Sequence, residues 1–566
     1  MACKNNLNRN SVEGCPGMPW MMKFEEECLA SNQLNAAYQS TNIDHMMRLN
    51  VESPSKPWRL TKIIITLGDK NSNAAAISRI INAGANVLRL NMSHKDKDWH
   101  CDTVGAIREA QKSLKNQKIP NNTNVAVALA VDLRGPEIRT GFFNGDSKCR
   151  GRAVFTEGDA VTLLTDERSK RAGDSTAFWI SCSELPAICE KGDRIMLDRG
   201  TVGLQVSRID KCSIECIVTK GGTVSDGKSL EPIDTALALP DISEQDDSDI
   251  EFATNSESDF IVVSHVRRGE TILKVKDRIK LADTRPICIL GKISSKQALD
   301  SIDDVLRQAD GIIIDRRSLE LGVGAEKLFL VEKSIVAKCN RVGKPVIIGF
   351  NIVAGENDRE PKLDSSLIAN AVLEGIDGIF LATGFLNVEE TVNLLQSVKL
   401  VCREAENARW QRQIFQELSY KASIPLEPSH SIAISAVQLS LKCNASGIIV
   451  ITTTGRTAMM LSIYRPRCPI VAVTRYGIVA RWLQLYFAVH PLHYIGCPIE
   501  DWRKDMDQRI QSGMKYLRTN NYVEAGEPVV IVSGWRCSSG FTNCIRVVYA
   551  SPRFVPNTSQ DFEEIW

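Results

Sequence analysis

A lysine stands at the end of an apolar run in the segment ICILGKISSK, residues 287–296. Four apolar residues and a glycine precede Lys292, which predicts a buried strand that presents this lysine at the mouth of a sheet or barrel. A poorly solvated ammonium group needs a partner of opposite charge. The next polar residues along the chain, Ser294 and Ser295, are neutral. The carboxylates that should accompany Lys292 are therefore absent from its own segment.

Two earlier apolar runs also end in polar side chains. The segments NVLRLNMSH and VDLRGPEIRTG contribute Arg89, Asn91, Ser93, His94, Asp132, Arg134 and Arg139. Arg89 and Arg139 are suited to phosphate oxygens, because a guanidinium group can donate two parallel hydrogen bonds. Oxygen atoms of Asn91, Ser93 and Asp132 are hard ligands that suit a monovalent cation. An alternative interpretation is that Arg89 and Asp132 form a structural ion pair at the rim.

A hydroxyl-rich loop follows another apolar run in the C-terminal part of the chain. The run GIIVIT leads into TTGRT, and this loop contains Thr452, Thr453, Thr454, Gly455 and Thr457. A helix that begins here would combine its free N–H groups with these hydroxyls in an anion site. The alternative is an ordinary strand–turn–helix cap without a ligand.

Eight near-continuous aliphatic runs would position the residues of the first two sites. They are TKIIITL (61–67), NVLRLN (86–91), VAVALAVD (125–132), DFIVVS (259–264), PICILGK (286–292), DGIIID (310–315), PVIIG (345–349) and DGIFLA (377–382). Most are separated by stretches with helical periodicity. Strands that are apolar on both faces and alternate with helices predict a covered parallel sheet. Eight such units predict an α/β fold with a TIM (β/α)8 barrel, whose site lies at the carboxyl ends of the strands.

The rest of the chain predicts further domains. Residues 45–135 and 240–410 are assigned to the barrel. Residues 136–239, with Gly-Asp turns and alternating segments, predict a β-rich insert, a small barrel that covers the mouth as a lid. Residues 411–566 predict a C-terminal α/β domain, and residues 1–44 a polar, weakly ordered extension. The strands of the C-terminal domain are expected at 447–452, 469–474, 528–533 and 545–549.

Composition argues against several function classes. The net charge of the 566-residue chain is +1, so we expect no nucleic-acid partner. No apolar run approaches the roughly 18 residues of a membrane span, and the N-terminus lacks an apolar signal core; we expect a cytoplasmic protein without a membrane partner. The 17 cysteines contain no C-x-x-C pair, which favours reduced thiols over a metal site. His490 and His493 are expected in a loop or at a sheet edge.

The segments NVLRLNMSH and VDLRGPEIRTG closely resemble signatures of the pyruvate kinase family, and the similarity covers roughly residues 40–550. Further similar segments are ANAVLEGIDGI, YRPRCPIVAVTR and SGWRCSSGFTN. The resemblance implies phosphoryl transfer from phosphoenolpyruvate to ADP in glycolysis, giving pyruvate and ATP. It also implies two Mg²⁺ ions, one K⁺ ion and a homotetramer.

The resemblance assigns roles to individual residues. Lys292 matches the catalytic lysine, which stabilises charge on the transferring phosphoryl group and the enolate. Arg89 matches the phosphate-binding arginine, Arg139 is a further candidate for substrate, and His94 is a candidate for the nucleotide. Asn91, Ser93 and Asp132 match the K⁺ ligands, and Leu133 stands where the family supplies a threonine carbonyl. The threonine-rich loop, Trp502 and Arg509 match the fructose 1,6-bisphosphate pocket, with Thr453 where a lysine is common.

The chain departs from the family at the magnesium site. The family reads Lys-Ile-Glu where Ser294 replaces the glutamate, and Ala-Arg-Gly-Asp-Leu-Gly where this chain reads DRRSLE. Ser318 therefore replaces the second acidic ligand, and Arg317 places a cation beside it. Neutral hydroxyls bind Mg²⁺ poorly, because the site must compensate the dehydration of the ion. Other replacements are Phe350 for a substrate-contacting threonine, His265 for a phenylalanine and Arg199 for an aspartate of the lid.

Two interpretations of function remain open. One is a weak glycolytic pyruvate kinase, in which Asp315 or Glu320 would replace the lost ligands; Asp315 is expected to face elsewhere. The other is a non-catalytic member, either a regulatory subunit that assembles with an active relative or a scaffold that binds sugar phosphates. Losing ~5 kcal/mol of metal stabilisation would slow turnover by roughly 10³–10⁴. The missing carboxylates therefore favour the second interpretation, with the K⁺ site kept.

Overall fold

The computed structural model describes residues 33–114, 123–143, 151–198, 200–233, 240–281, 285–350, 352, 363–535, 540 and 542–551. Eight parallel strands form a closed barrel in which each strand pairs with its neighbours in chain order. They are β1 (Lys62–Thr66), β2 (Val87–Asn91), β3 (Ala128–Asp132), β4 (Phe260–Val263), β5 (Cys288–Ile293), β6 (Gly311–Asp315), β7 (Val346–Phe350) and β8 (Gly378–Leu381). The predicted TIM barrel is confirmed.

Helices cover the outside of the barrel, and their apolar faces pack against the outward side chains of the strands in one large core. Several begin at side-chain caps, such as Asn73, which accepts from the N–H of Ala76, and Asp96, which accepts from the N–H of Trp99. The helices are Ala74–Ala83, Lys97–Ser113, Glu244–Asn255, Gly269–Leu281, Lys296–Asp300, Ile302–Gln308, Arg316–Val323, Ala325–Val342, Ser365–Glu374 and Val388–Ala408.

The run VAVALAVD is divided between two sheets rather than forming one strand. Residues Ala128–Asp132 form β3, whereas Val125 belongs to a separate short strand, Thr123–Val125, that pairs with Val489–Tyr494 of the C-terminal domain. Gln484 donates a hydrogen bond to the carbonyl of Ala126 between the two strands. The prediction of a single strand was wrong, because an apolar run does not reveal which of two sheets its residues join.

The insert between β3 and β4 is rich in β-structure, as predicted. Seven of its strands form one sheet, in the order Ile138–Arg139, Ser229–Pro232, Arg194–Leu197, Val202–Ile209, Ser213–Lys220, Ala160–Leu164 and Ala177–Trp179. Arg152–Phe155 pairs with Gly222–Ser225. A short α-helix, Leu185–Ile188, and a 3-10 helix, Glu167–Arg171, complete the described part. Ile138 and Leu230 of the insert line a cavity together with residues at the carboxyl ends of barrel strands, so the insert lies at the mouth.

The C-terminal domain is an α/β layer structure. Its sheet contains Thr542–Tyr549, Pro528–Gly534, Gly447–Ile451, Ile470–Thr474, Val489–Tyr494 and Thr123–Val125, in that order. Its α-helices are Gln411–Lys421, Pro428–Lys442, Arg456–Ile463, Gly477–Trp482 and Trp502–Thr519, and Leu483–Leu485 is a 3-10 helix. His490 and His493 lie on the internal strand Val489–Tyr494, not in a loop or at an edge. Leu485 packs against the cluster of residues inside the barrel.

The end of the predicted N-terminal extension is structured. Helices Leu34–Ala37 and Asn42–Met47 lie beside the C-terminal domain, where the Tyr38 hydroxyl donates to the carbonyl of Leu441 (3.1 Å). The indole of Trp410 donates to the carbonyl of Gln39 (2.9 Å) and stacks on His45. For residues 33–44 the expectation of weak order was wrong, because these partners lie hundreds of residues away in sequence. No helix in the described ranges is long and apolar enough to cross a membrane.

Candidate functional site

Lys292 lies on β5 and is nine-tenths buried, with two carboxylates beside it. Its Nζ atom is 3.5 Å from Oδ2 of Asp315 and 3.7 Å from Oδ2 of Asp132. Asp315 ends the neighbouring strand β6 and caps helix Arg316–Val323, with Oδ1 accepting from the N–H of Ser318 (3.5 Å). This capping position turns Oδ2 toward β5. The expectation that Asp315 faces elsewhere was wrong, and the carboxylates that accompany Lys292 come from other strands.

Arg89 and Asp132 form the buried ion pair that the sequence left as an alternative. The guanidinium of Arg89 donates to Oδ2 of Asp132 through Nε (2.8 Å) and Nη2 (2.5 Å), and to the Thr66 hydroxyl through Nη1 (2.9 Å). Ser264 donates to Oδ1 of Asp132 (2.7 Å). Burial raises the pKa of Asp132, but the positive charges of Arg89 and Lys292, together with the hydrogen bonds from Ser264 and Arg89, hold the pKa below its ordinary value. Asp132 is therefore shared between two cations.

The predicted K⁺ ligands lie at adjacent strand ends. Asn91 of β2 stands opposite Asp132 of β3, and Oδ1 of Asn91 accepts from the N–H of Ser93 (3.2 Å). Leu133 follows Asp132 and is buried. The oxygen atoms present are of the type that K⁺ requires, although both carboxylate oxygens of Asp132 already accept hydrogen bonds.

The other two mouth candidates lie at its edge. His94 is exposed, and its carbonyl accepts from Nε2 of His100 (2.9 Å). Arg139 belongs to the insert, where it donates to Oε2 of Glu137 (2.8 Å) and to the carbonyl of Gly227 (3.2 Å). The structure thus brings Lys292, Arg89 and Asp132 together, whereas the guanidinium of Arg139 is engaged within the insert.

The two serines at the expected magnesium positions line a cavity of 130 Å³ between the mouth and the insert. Each is 6% exposed, and the Ser294 hydroxyl has no hydrogen-bond partner among the described residues. Within the same residues no three His, Cys, Asp or Glu side chains are arranged to hold a metal. The donor set therefore does not fit Mg²⁺, which is bound through carboxylates. Other lining residues are Glu137, His265, Arg267 and Lys296.

The other residues that replace family residues near the mouth lie in different environments. His265 lines the cavity, and its Nε2 atom contacts Oε1 of Glu137 (2.9 Å). Arg317, expected as a cation beside Ser318, is exposed and is not a lining residue of this cavity. Phe350 is buried with the guanidinium of Arg316 over its ring. Arg199 lies outside the described residues.

The sequence analysis missed two residues of the mouth network. Glu137 links Arg139 to His265, and Ser264 binds Asp132. Ser264 directly follows β4, so the rule that barrel sites lie at the carboxyl ends of strands could have found it. Glu137 carried no such signal, because it lies in the connection to the insert.

The threonine loop lines a cavity of 480 Å³ in the C-terminal domain, together with Trp502 and Arg509. Gly455, with φ of +82°, precedes helix Arg456–Ile463 and donates its N–H to the Thr452 hydroxyl (2.9 Å). The Thr457 hydroxyl lies 3.0 Å from that of Thr542. Thr453 and Thr454 are exposed and line the same cavity. The predicted effector residues other than Gly455 therefore line one pocket.

One aspartate holds two arginines in this pocket. Oδ1 of Asp505 accepts from Nη2 of Arg475 (2.5 Å), and Oδ2 accepts from Nη2 of Arg509. The guanidinium of Arg509 lies over the ring of Trp502. Nε of Arg509 and Nε1 of Trp502 are buried without hydrogen-bond partners in the described part of the chain. The sequence analysis missed Asp505 and Arg475, although Asp505 lies four residues before Arg509 on one helix, a spacing at which side chains meet.

Comparison with known proteins agrees with this architecture. Residues 58–387 match the family model of the pyruvate kinase barrel domain, and residues 430–548 match that of the pyruvate kinase alpha/beta domain. The chain is 33% identical to "Pyruvate kinase PKLR" of Rattus norvegicus over 561 residues, covering 97% of both chains. It is 33% identical to the protein of that name from Homo sapiens, with 92% and 90% covered, and 30% identical to "Pyruvate kinase" of Agaricus bisporus, with 92% and 97% covered. With these matches across both of its large domains, the chain belongs to the pyruvate kinase family.

Proposed function

We propose that this chain is a non-catalytic or very weakly catalytic pyruvate kinase family protein that acts through ligand binding and assembly. The observation that carries the proposal is the environment of Lys292, whose ammonium lies between the carboxylates of Asp132 and Asp315, with serines at the two positions where the family resemblance implies magnesium ligands. The family reaction, transfer of a phosphoryl group from phosphoenolpyruvate to ADP to give pyruvate and ATP, needs the opposite arrangement. There the lysine faces the substrate and the carboxylates hold metal.

The charges around Lys292 support impaired catalysis. Lys292 and Arg89 carry two positive charges, and Asp132 and Asp315 carry two negative charges. A substrate phosphoryl group would have to displace Asp315 before Lys292 could stabilise it, and no metal would neutralise the incoming charge. Metal activation supplies several kcal/mol of transition-state stabilisation, so its loss would reduce turnover by roughly 10³–10⁴.

The better preserved sites support a binding role. The candidate K⁺ site keeps ligand atoms of the right type. They are oxygens of Asn91, Ser93 and Asp132 and the carbonyl oxygen of Leu133. The C-terminal pocket keeps its hydroxyl-rich loop at a helix N-terminus and two arginines, a combination that favours a phosphorylated sugar such as fructose 1,6-bisphosphate. We further propose a cytoplasmic protein that assembles as a homo-oligomer or with an active family member.

A coupled assay tests the proposal directly. Purified full-length protein with phosphoenolpyruvate, ADP, Mg²⁺ and K⁺ should turn over at least about 10³-fold more slowly than an active relative, because the metal contribution is lost. D315N should increase the affinity for phosphoenolpyruvate without metal, measured by calorimetry, because it frees the charge of Lys292 while the asparagine can still cap the helix. E320A, which removes an exposed charge from the same helix, is the matched control. Ordinary Mg²⁺-dependent turnover of the unmodified chain would refute the proposal.

A further inference from the structure

A third cavity lies where the barrel meets the C-terminal domain. Its volume is 200 Å³. The segment before β1 contributes Ser55 and Lys56, helix Val388–Ala408 contributes Asn407, and the C-terminal domain contributes Asn444, Ser446 and Arg467. None of these residues lines the pocket of the threonine loop or the cavity at the barrel mouth.

Arg467 is a largely buried cation whose charge is not compensated by a carboxylate of the described residues. Its Nη2 atom donates to the carbonyl and to Oδ1 of Asn407 (3.2 and 3.3 Å), and Nη1 is buried without a partner among those residues. Burial lowers the pKa of Arg467, and the neighbours that act in the opposite direction are Tyr38 and Cys468, both neutral at physiological pH. A buried cation that lacks a counter-ion is costly.

Two further cations stand at the same junction. The ammonium of Lys56 lies over the ring of Trp58, at 5.5 Å. Arg403 donates to the carbonyls of Lys56 (2.6 Å) and Ser55 (3.4 Å), which holds the segment against helix Val388–Ala408. Neither cation forms a salt bridge within the described part of the chain. Glu527 is not a lining residue, and its carboxylate already accepts hydrogen bonds from the hydroxyl of the lining residue Ser446 (2.7 Å) and from the N–H of Glu524 (2.9 Å).

We propose that this cavity is a binding site for a small phosphate-type oxyanion, either inorganic phosphate or the phosphate of a monoester, with Arg467 as its principal ligand. A guanidinium suits the oxygens of such an anion. Amide and hydroxyl groups of Asn444 and Ser55 supply uncharged donors. A volume of 200 Å³ is several times the roughly 30 Å³ of one water, so an anion of five heavy atoms fits.

The proposed anion would connect two domains. Lys56 and Asn407 belong to the barrel side of the cavity, whereas Asn444 and Arg467 belong to the C-terminal domain. A ligand that binds only the folded protein raises the free energy of unfolding with the logarithm of its concentration once that concentration exceeds the dissociation constant. Bound phosphate would therefore raise the unfolding midpoint through contacts that are independent of the threonine loop.

Calorimetric titration of the full chain with inorganic phosphate tests the site, with R509A as the background that disables the other pocket. The R509A protein should still bind phosphate, and adding N444D should weaken binding at least 10-fold, because a new carboxylate repels the anion at the cavity. R467Q should have the same effect. Aspartate, like asparagine, tolerates the left-handed backbone at position 444, where φ is +48°. N444D therefore tests the site even if R467Q fails to fold. Equal unfolding midpoints of R509A and R509A/N444D without phosphate verify that the fold is intact.

Parallel titration with glycerol phosphate separates the two sources of the anion: tighter binding of the ester indicates a monoester ligand, and tighter binding of phosphate indicates the free ion. Loss of all phosphate binding in R509A alone, or binding by R509A/N444D equal to that of R509A, would overturn the proposal.

Discussion

The barrel mouth and the C-terminal pocket each contain two cationic side chains beside aspartates, but the number of aspartates differs between them. At the mouth, Lys292 and Arg89 face Asp132 and Asp315, and these four charges cancel. In the C-terminal pocket, Arg475 and Arg509 share the single carboxylate of Asp505, and the further acidic lining residue, Glu500, is exposed to solvent. The C-terminal pocket therefore keeps a positive charge that can attract an anion. At the mouth, the carboxylates of Asp132 and Asp315 already neutralise the two cations.

Hydroxyl groups are expected to have opposite effects on ligand binding in the two regions. In the C-terminal pocket, Thr452 and Thr457 stand at a helix N-terminus, where hydroxyls and N–H groups together suit phosphate oxygens. At the mouth, Ser294 and Ser318 stand where the family has carboxylates, and a neutral hydroxyl cannot compensate the dehydration of Mg²⁺. Under the proposed function, the same type of side chain suits an anion in one site and does not replace metal ligands in the other. Under the proposed function, the C-terminal pocket keeps groups that suit a phosphorylated ligand, whereas the barrel mouth has serines at the two expected magnesium positions.

The largest expected effect comes from rebuilding the metal site. S294E/S318D restores both family carboxylates, and we expect the affinity for Mn²⁺ to rise by about 10³- to 10⁴-fold, the equivalent of the several kcal/mol that metal ligation supplies. Paramagnetic relaxation of water protons during Mn²⁺ titration measures this. Turnover should rise only in part, because Phe350 remains in place of a threonine. Tight, stoichiometric Mn²⁺ binding at the mouth of the unmodified chain would remove the difference between the two regions.

A lysine at the opposite end of the barrel provides the reference for an unpaired ammonium. Lys62, at the start of β1, is almost fully buried and donates to the carbonyl of Val489. Burial, reinforced by the nearby charge of Arg59, lowers the pKa of Lys62 from 10.5 to about 7. Between these two values the unfolded chain binds more protons than the folded one, so this residue makes stability rise with pH from about 7 to 10.5.

K62M should therefore stabilise the protein most near neutral pH, by about 4 kcal/mol from the size of the pKa shift, and less as the pH approaches 10. Guanidinium unfolding midpoints of both proteins at pH 7 and pH 10 measure the difference. K95M, which removes an exposed lysine, serves as the control and should show little change with pH. A K62M effect that is the same at both pH values would mean that Lys62 does not titrate in this range.

Much of the architecture could be predicted from the sequence, because the barrel strands are apolar on both faces and only a covered parallel sheet accommodates that pattern. The strand-end rule also brought Arg89, Asp132 and Lys292 together correctly. The orientation of Asp315 could not be predicted in this way, since it depends on the helix cap that Asp315 forms. The pairing of Asp505 with Arg475 joins side chains 30 residues apart, and no local pattern reports such a contact.

The smallest of these effects concerns the C-terminal pocket, where fructose 1,6-bisphosphate should bind independently of the state of the mouth. At 100 times its dissociation constant the ligand should stabilise the folded protein by about 2.7 kcal/mol, seen as a rise in the thermal unfolding midpoint. R509A should abolish the rise, because it removes an arginine that lines the pocket. R503A, which removes an exposed arginine from the same helix, should leave the rise intact. An unchanged melting curve of the unmodified chain at millimolar ligand would contradict this prediction. It would indicate that Thr453, in place of the family's lysine, prevents binding in this pocket. The proposed difference between the two regions would then disappear.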